Sequence, residues 1–277
     1  MCTPHFEIQN GVLTKCRMSG EEKVTVTIPD GVTSIGRNAF LGCRSLISIT
    51  IPGSVTSIGN HAFHRCISLK SIIIPKGVTR IRRGAFLCCE SLESVTMQNS
   101  VTRIGHDSFF GCKSLEIITI PDSVTRIGNG AFAYCESLES ITIPNSVISI
   151  GKSAFVSCES LESITIPNSV ASIGNGAFMC CKSLQSITIP DRVTTIRTCA
   201  FAICTSLKSI TIPDSVTNIG NHAFMRCTAL ENITIPESVT SIGDSAFDDC
   251  DKLTICAPAG SYAIGYAKDN GIKFKEI

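Results

Sequence analysis

The sequence repeats with a fixed period of 23 residues. Ten cysteines keep this spacing from Cys43 to Cys250 without an insertion, and ten phenylalanines keep it from Phe40 to Phe247. Proline keeps the same step, with one exception at Gln98. A constant period of about 20 to 50 residues is typical of a solenoid, in which each unit buries its apolar edge against its neighbours. The sequence therefore predicts ten stacked coils.

One unit shows how each coil is expected to fold. The segment 140–143, Ser-Ile-Thr-Ile, alternates polar and apolar residues and predicts a short strand. Pro144 ends this strand because it has no amide hydrogen to donate. Residues 147–150 predict a second short strand, which Gly151 closes. Residues 153–158 are too few for a stable α-helix alone, so we expect one helical or 3-10 turn there.

The unit resembles a known repeat family. The pattern LxxIxIPxSVTSIGxxAFxxC, represented by Leu115 to Cys135, is similar to the BspA-like leucine-rich repeat, a 23-residue class of the leucine-rich repeat superfamily. The segments from Phe6 to Lys15 and from Cys256 to Phe274 resemble the terminal segments of that family. The resemblance implies a curved, right-handed solenoid with a parallel β-sheet. It also implies protein-binding or adhesive roles and no catalytic residues.

We expect a single structural domain with capped ends. Residues 1–23 form the predicted N-terminal cap, 24–253 the ten repeats, and 254–277 the C-terminal cap. The C-terminal cap is expected to contain a helix from Ser261 to about Asn270 that covers the apolar end of the last coil. The residues predicted to form its covering face are Tyr262, Ile264, Tyr266 and Ala267.

Composition excludes several classes of function. Lys and Arg number 24 against 23 Asp and Glu, so the net charge of +1 gives no global attraction for nucleic acid. The sequence contains no uninterrupted run of about 18 apolar residues, so it predicts no membrane-spanning segment. The first residues lack the basic start and apolar run of a secretion signal. The chain as given is therefore expected to be cytoplasmic, or a surface or secreted protein without its signal.

The sixteen cysteines predict buried thiols rather than a disulfide framework. Residues in identical register point the same way, which gives poor disulfide geometry. We call the ten cysteines that keep the 23-residue period the ladder cysteines; the other six, including Cys2, lie outside this period. The sequence contains no CxxC pair, so the cysteine spacing does not predict a zinc site. His61, His64 and Cys66 lie in one coil without a second cluster beside them. We therefore predict neither a metal site nor a cofactor.

One segment imitates a nucleotide-binding motif. Residues 128–133, Gly-Asn-Gly-Ala-Phe-Ala, match GxGxxA, but a related GNGAF recurs at Gly174 as an ordinary repeat corner. The motif binds nucleotides only between a buried strand and a full helix. No histidine and carboxylate accompany the many serines in a recognisable nucleophile setting. The chain is therefore not expected to be an enzyme.

Hydroxyl side chains form two lines along the predicted long strands. One interpretation is a regular array that orders water, as on an ice-binding face; the other is that small β-compatible residues tile a crowded surface. We favour the second, because a curved sheet does not match a flat lattice. The lines are Thr50, Thr96, Thr119, Thr142, Thr165, Thr188, Thr211 and Thr234, and Ser48, Ser71, Ser94, Ser140, Ser163, Ser186 and Ser209.

Charged residues provide the clearest differences between coils. We call the stacked carboxylates the acidic ridge: Glu93, Glu116, Glu139 and Glu162 at one repeat position, with Glu90, Glu136 and Glu159 three residues before three of them. Basic residues also stack at a separate position, namely Arg80, Arg103 and Arg126. Like charges about 5 Å apart repel one another, so the acidic ridge predicts a site for a basic partner or is a solvated surface inherited by duplication.

The sequence thus predicts a non-enzymatic leucine-rich-repeat scaffold that binds another protein or mediates adhesion. The charged ridges of the middle coils are the predicted contact residues. Two alternatives remain open at this point. One is a structural or adhesive spacer without a specific ligand, and the other is the water-ordering face.

Overall fold

The computed structural model describes residues 3–20 and 22–277. The chain forms a parallel β-solenoid of about 11 turns, which confirms the predicted fold class. At the N-terminal end, β1 (Thr3–Gln9) and β2 (Val12–Ser19) form an antiparallel hairpin through Asn10 and Gly11, both with positive φ. Strand β2 then pairs in parallel with the first coil, so the hairpin starts the stack.

Each coil contributes one strand to each of two ladders. The long-strand ladder contains β3 (Val24–Thr27), β5 (Leu46–Thr50), β7 (Ser71–Ile73), β9 (Ser94–Thr96), β11 (Ile117–Ile118), β13 (Ser140–Thr142), β15 (Ser163–Thr165), β17 (Ser186–Thr188), β19 (Ser209–Thr211), β21 (Asn232–Thr234), β23 (Thr254–Ala257) and β24 (Lys273–Glu276). The short-strand ladder contains β4 (Ser34–Ile35), β6 (Ser57–Ile58), β8 (Arg80–Ile81), β10 (Arg103–Ile104), β12 (Arg126–Ile127), β14 (Ser149–Ile150), β16 (Ser172–Ile173), β18 (Thr195–Ile196), β20 (Asn218–Ile219) and β22 (Ser241–Ile242). Paired residues of adjacent repeats are typically 23 positions apart, so equivalent side chains stack in register. Strand pairing in the long-strand ladder is interrupted between β5 and β7, between β11 and β13, and between β15 and β17.

The segment predicted as a helical turn is a run of β-turns instead. Ser153 and Ser157 have φ of 53° and 57°, which a right-handed helical turn excludes. Successive amides donate alternately to the next coil and within their own coil. Phe155 N–H donates to Ala177 O of the next coil at 2.8 Å, whereas Val156 N–H donates to Ser153 O of the same coil at 3.3 Å. Bonding to the neighbouring coil therefore replaces the helical pattern, a long-range effect that segment length alone does not reveal.

The C-terminal helix is present with two differences from the expectation. Helix α1 spans Tyr262–Asp269 and buries Ala263, Ile264 and Ala267. Ser261 occupies the N-cap position but makes no side-chain capping bond, and Tyr262 is 49% exposed rather than part of the covering face. The burial of Ala263 shows that the helix is rotated from the predicted orientation. Strand β24 follows the helix and pairs in parallel with β23.

The core is a column of aromatic rings with a line of thiols beside it. The periodic phenylalanines stack face to face from Phe40 to Phe247, with ring centroids 4.9–5.6 Å apart and planes within 12° of parallel. Each ladder cysteine from Cys66 onward donates its S–H to the carbonyl of a phenylalanine 26 residues earlier, as Cys158 does to Phe132 O at 3.1 Å. The thiol thus satisfies a buried carbonyl and fills space.

The predicted burial of the ladder cysteines is confirmed among the described residues. All ten ladder cysteines are buried and free. Of the other six, Cys16 is buried, Cys88, Cys180, Cys199 and Cys256 are half-buried and free, and Cys2 lies outside the described residues.

The aromatic column predicts a large effect of one truncation. Phe155 is fully buried between Phe132 and Phe178. Phe155→Ala should lower the free energy of unfolding by about 3 to 5 kcal/mol, because a central coil cannot collapse into the cavity. Urea denaturation followed by circular dichroism measures the change. Tyr262→Ala, at an exposed aromatic, is the matched control and should have little effect; an unchanged midpoint for Phe155→Ala would contradict the column.

The thiol ladder predicts alkaline sensitivity. Burial raises the pKa of Cys158 and of Cys204 from 9.0 to about 12. Above pH 9 the unfolded chain loses thiol protons that the folded chain keeps, so stability is complete below that pH and falls as pH rises toward 12. Cys158→Ser with Cys204→Ser should reduce the loss of stability between pH 9 and 10 by about 2 kcal/mol, about 1 kcal/mol for each thiol removed. Urea denaturation from pH 7 to 10 measures it; wild-type stability that does not fall would refute the prediction.

Candidate binding groove

A tight backbone corner follows each short strand. In the coil that contains β12, Arg126 and Asn129 are exposed on either side of buried Ile127 and half-buried Gly128. A Cβ added at Gly128 would lie 2.6 Å from the carbonyl carbon of Gly105 and 2.6 Å from the amide nitrogen of His106 in the preceding coil. No L-residue fits that gap without a backbone shift. The corner therefore needs glycine for close approach between coils.

The close approach allows a hydrogen bond between coils. Gly128 N–H donates to Ile104 O at 2.9 Å, and Gly151 N–H donates to Ile127 O at 3.0 Å. Glycine occupies this position in eight of the ten repeats, and all eight make the equivalent bond: Gly36, Gly59, Gly105, Gly128, Gly151, Gly174, Gly220 and Gly243. The corner glycines thus form a strip of bare backbone along one edge of the solenoid.

Arginine replaces glycine at two corners, Arg82 and Arg197. Among the described residues, neither arginine makes the bond to the preceding coil that the eight glycines make. Strand pairing weakens at the same places: β6 and β8 pair through one residue of each, and β16 and β18 do not pair. A Cβ at these corners pushes the coil away from the preceding coil, which accounts for the lost bonds.

The strip between the two arginines is the floor of a groove of about 650 Å³. Its first wall includes Arg80, Arg103 and Arg126, and its second wall includes His106, Asn129 and Lys152. Seven basic side chains line it, and within residues 3–20 and 22–277 no carboxylate does; the seven are Arg80, Arg82, Arg83, Arg103, Arg126, Lys152 and Arg197. We call this feature the arginine groove.

The three stacked arginines of the first wall carry uncompensated charge. Arg103 is in register with Arg80 on one side and Arg126 on the other, which places equivalent Cα atoms about 4.8 Å apart. None of the three makes an ion pair with a described carboxylate, whereas Arg83 Nε lies 3.6 Å from Oδ2 of Asp107, a residue that does not line the groove. Stacked like charges repel, so an anion in the groove would relieve the repulsion.

The acidic ridge lies apart from the groove. Its four main carboxylates, Glu93, Glu116, Glu139 and Glu162, are exposed and sit just before the long strands. Lysines compensate two ridge positions: Lys70 Nζ lies 3.1 Å from Glu93 Oε1, and Lys182 Nζ lies 2.8 Å from Glu159 Oε1. Of the ten predicted contact residues, the structure therefore gathers Arg80, Arg103 and Arg126 in a groove and leaves the seven glutamates on another surface.

Sequence reasoning did not assign the other basic residues of the groove to a site. Lys152 and His106 lie three residues after the arginine line, and the corner brings them to the opposite wall. The signal for Arg82 and Arg197 was present in the sequence, because both interrupt an otherwise constant glycine. Period analysis that follows glycine as well as cysteine would have found them.

Two exposed isoleucines interrupt the hydroxyl lines. Ile73 replaces threonine in one line and is 64% exposed, and Ile117 replaces serine in the other and is 67% exposed. These two isoleucines break the regular spacing of hydroxyl groups in the first half of the solenoid. The arrangement favours the interpretation that small β-compatible residues cover a crowded strand surface, over a continuous array that orders water.

Other candidate chemistry is not assembled. The ring centroids of His61 and His64 lie 5.7 Å apart, and no group of three potential metal-binding side chains occurs among the described residues. Residues 128–133 form a corner and turns rather than the start of a helix. In the part of the chain that the structure describes, no helix has the length and apolar character needed to cross a membrane.

Comparison with known proteins identifies the family. The model of the BspA type leucine-rich repeat region matches residues 7–139 and 125–254, in six copies. The chain belongs to this family, as its repeat pattern predicted. The proteins of this family are generally non-enzymatic scaffolds. Among curated proteins, none matches the chain.

Solved structures of bacterial leucine-rich repeat proteins are similar to this chain. The leucine-rich repeat protein of T. pallidum is 30% identical, covering 74% of this chain and 85% of that one, with a TM-score of 0.53. A leucine-rich cell surface protein of Faecalibacterium prausnitzii is 31% identical over 99% and 97% of the two chains, with a TM-score of 0.46. The pneumococcal vaccine antigen PcpA is 16% identical over 100% and 97%, with a TM-score of 0.58, and shows the shared fold alone.

Proposed function

We propose that this chain is a non-enzymatic scaffold that binds an acidic protein partner in the arginine groove. The observation that carries the proposal is the groove itself, which seven basic side chains and no described carboxylate line. Of the seven, Arg83 alone is in an ion pair with a described carboxylate, that of Asp107. Arginine is suited to this task because its planar guanidinium binds carboxylates through two parallel hydrogen bonds.

Rigidity supports the same role. The groove stands on the short-strand ladder, and the buried isoleucines Ile104 and Ile127 beneath it anchor each coil to the core. A preformed surface loses little conformational entropy on binding, so more of the interaction energy appears as affinity. Membership in a family whose proteins typically bind other proteins is consistent with this function.

The acidic ridge supports a second contact surface for a basic partner. Its four main glutamates recur in four consecutive coils, and among the described residues Glu116, Glu139 and Glu162 have no lysine or arginine in an ion pair with them. We rank it below the groove because lysines already pair with Glu93 and Glu159, and of its four main glutamates only Glu116 lines one of the described cavities. A spacer or adhesive role without a specific ligand uses neither surface.

Charge removal in the groove tests the proposal. A variant with Arg80→Gln, Arg103→Gln and Arg126→Gln should capture partner proteins at least about tenfold less well than wild type at low salt, since opposite charge drives encounter and pairing. Partners captured from a cell extract by the immobilised chain, quantified by mass spectrometry at two salt concentrations, provide the measurement.

Two control variants make the result specific. Lys113→Gln, Lys208→Gln and Lys252→Gln remove the same total charge at exposed sites outside the groove and should keep capture at the wild-type level. Replacing Glu93, Glu116, Glu139 and Glu162 by Gln tests the acidic ridge. Loss of capture in the ridge variant alone would move recognition to the ridge, and equal capture by all variants would favour the spacer.

A further inference from the structure

We infer that the arginine groove takes an extended acidic polypeptide segment of about seven residues, with Arg82 and Arg197 setting its two ends. The inference rests on the proposed function and deepens it by naming the conformation and length of the occupant. Three features of the groove carry it: the glycine floor, the chemistry of the walls, and the two arginine corners.

The floor favours a polypeptide backbone. Gly105, Gly128, Gly151 and Gly174 line the groove without side chains, so an occupant can approach the backbone of the solenoid closely. The second wall carries the side-chain amides of Asn129 and Asn175. Asn129 Oδ1 accepts a hydrogen bond from Lys152 N–H at 2.9 Å, which leaves its NH₂ group to donate to a peptide carbonyl.

The wall chemistry distinguishes a peptide from other polyanions. Binding of single-stranded nucleic acid relies on aromatic side chains against which bases stack. Among the described residues that line the groove, the imidazole of His106 is the only aromatic ring. Carboxylates instead match the three stacked guanidinium groups of Arg80, Arg103 and Arg126. The observations therefore favour an acidic peptide over nucleic acid.

The two corners define a length. Arg82 and Arg197 occupy the same repeat position five coils apart, and five steps of about 4.8 Å give about 24 Å. An extended chain rises by about 3.3 Å per residue, so about seven residues fit between the corners. Each arginine places a side chain where its neighbours have bare backbone, which ends the strip and supplies a cation to each end of the segment.

Fluorescence anisotropy with labelled oligoglutamate peptides of four, seven and ten residues tests the inference. Affinity should rise at least about tenfold from four to seven residues and change less than about threefold from seven to ten, because the additional residues leave the groove. Arg82→Gly with Arg197→Gly should extend the floor and remove this plateau. The variant lacking Lys113, Lys208 and Lys252 should keep it. Circular dichroism verifies that both variants are folded.

Other outcomes overturn the inference. Affinity that grows in proportion to peptide charge, with no plateau in wild type, would reject the defined ends. Tighter binding of a sulfated oligosaccharide or an oligonucleotide of equal charge would reject a peptide as occupant. If oligoglutamate does not bind while capture of protein partners still depends on Arg80, Arg103 and Arg126, the inference fails and the proposed function stands.

Discussion

The structure depends on how closely one coil can approach the next at the corner after each short strand. Backbone atoms meet there with no room for a Cβ, as Gly128 against Gly105 illustrates. This contact permits the bond from each corner glycine amide to a carbonyl of the preceding strand, which is that of Leu13 for Gly36 and of an isoleucine for the other seven, and keeps the short strands in register. The phenylalanine column stays stacked at the two arginine corners, with ring centroids 5.3 Å apart for Phe63 and Phe86 and 5.6 Å apart for Phe178 and Phe201, so the opening is confined to the edge of the solenoid.

The need for glycine at the corners also shapes the candidate binding surface. Because glycine leaves the edge of the solenoid bare, the side chains on either side of it become the walls of a groove. Register then places Arg80, Arg103 and Arg126 in one line, although their mutual repulsion offers nothing to the stability of the free chain. The hydrophobic core is large enough to tolerate that cost, as the complete burial of Phe86, Phe109 and Phe132 indicates.

Much of the fold followed from the sequence because a strict period fixes which residues become neighbours. The burial of Cys158 and Phe155 and the resemblance to the leucine-rich repeat family required no knowledge of the three-dimensional structure. The hydrogen bond from each ladder thiol after Cys43 to a phenylalanine carbonyl was not predictable, since its acceptor lies 26 residues earlier in the preceding coil. The turns between Ser153 and Ser157 were misread as helical for the same reason.

The candidate site was only partly predictable. Arg80, Arg103 and Arg126 were visible as a charged line, but the sequence did not show that Lys152 lies across a corner from them. Charge patterning alone favoured the acidic ridge, because it cannot distinguish a groove with two walls from an exposed line of charge. The backbone corner places walls on both sides of the arginine groove, and this distinguishes it from the acidic ridge.

Hydrogen exchange at the corner amides tests the central claim most directly. In nuclear magnetic resonance or mass spectrometry measurements on the native chain, the amides of Gly105, Gly128 and Gly151 should exchange slowly, because each is bonded to the preceding coil. The amides of Arg82 and Arg197 should exchange at least about tenfold faster, and Arg197→Gly should slow exchange at that corner. Equal protection at glycine and arginine corners would contradict the account that close glycine contacts hold the coils together and that arginine opens them.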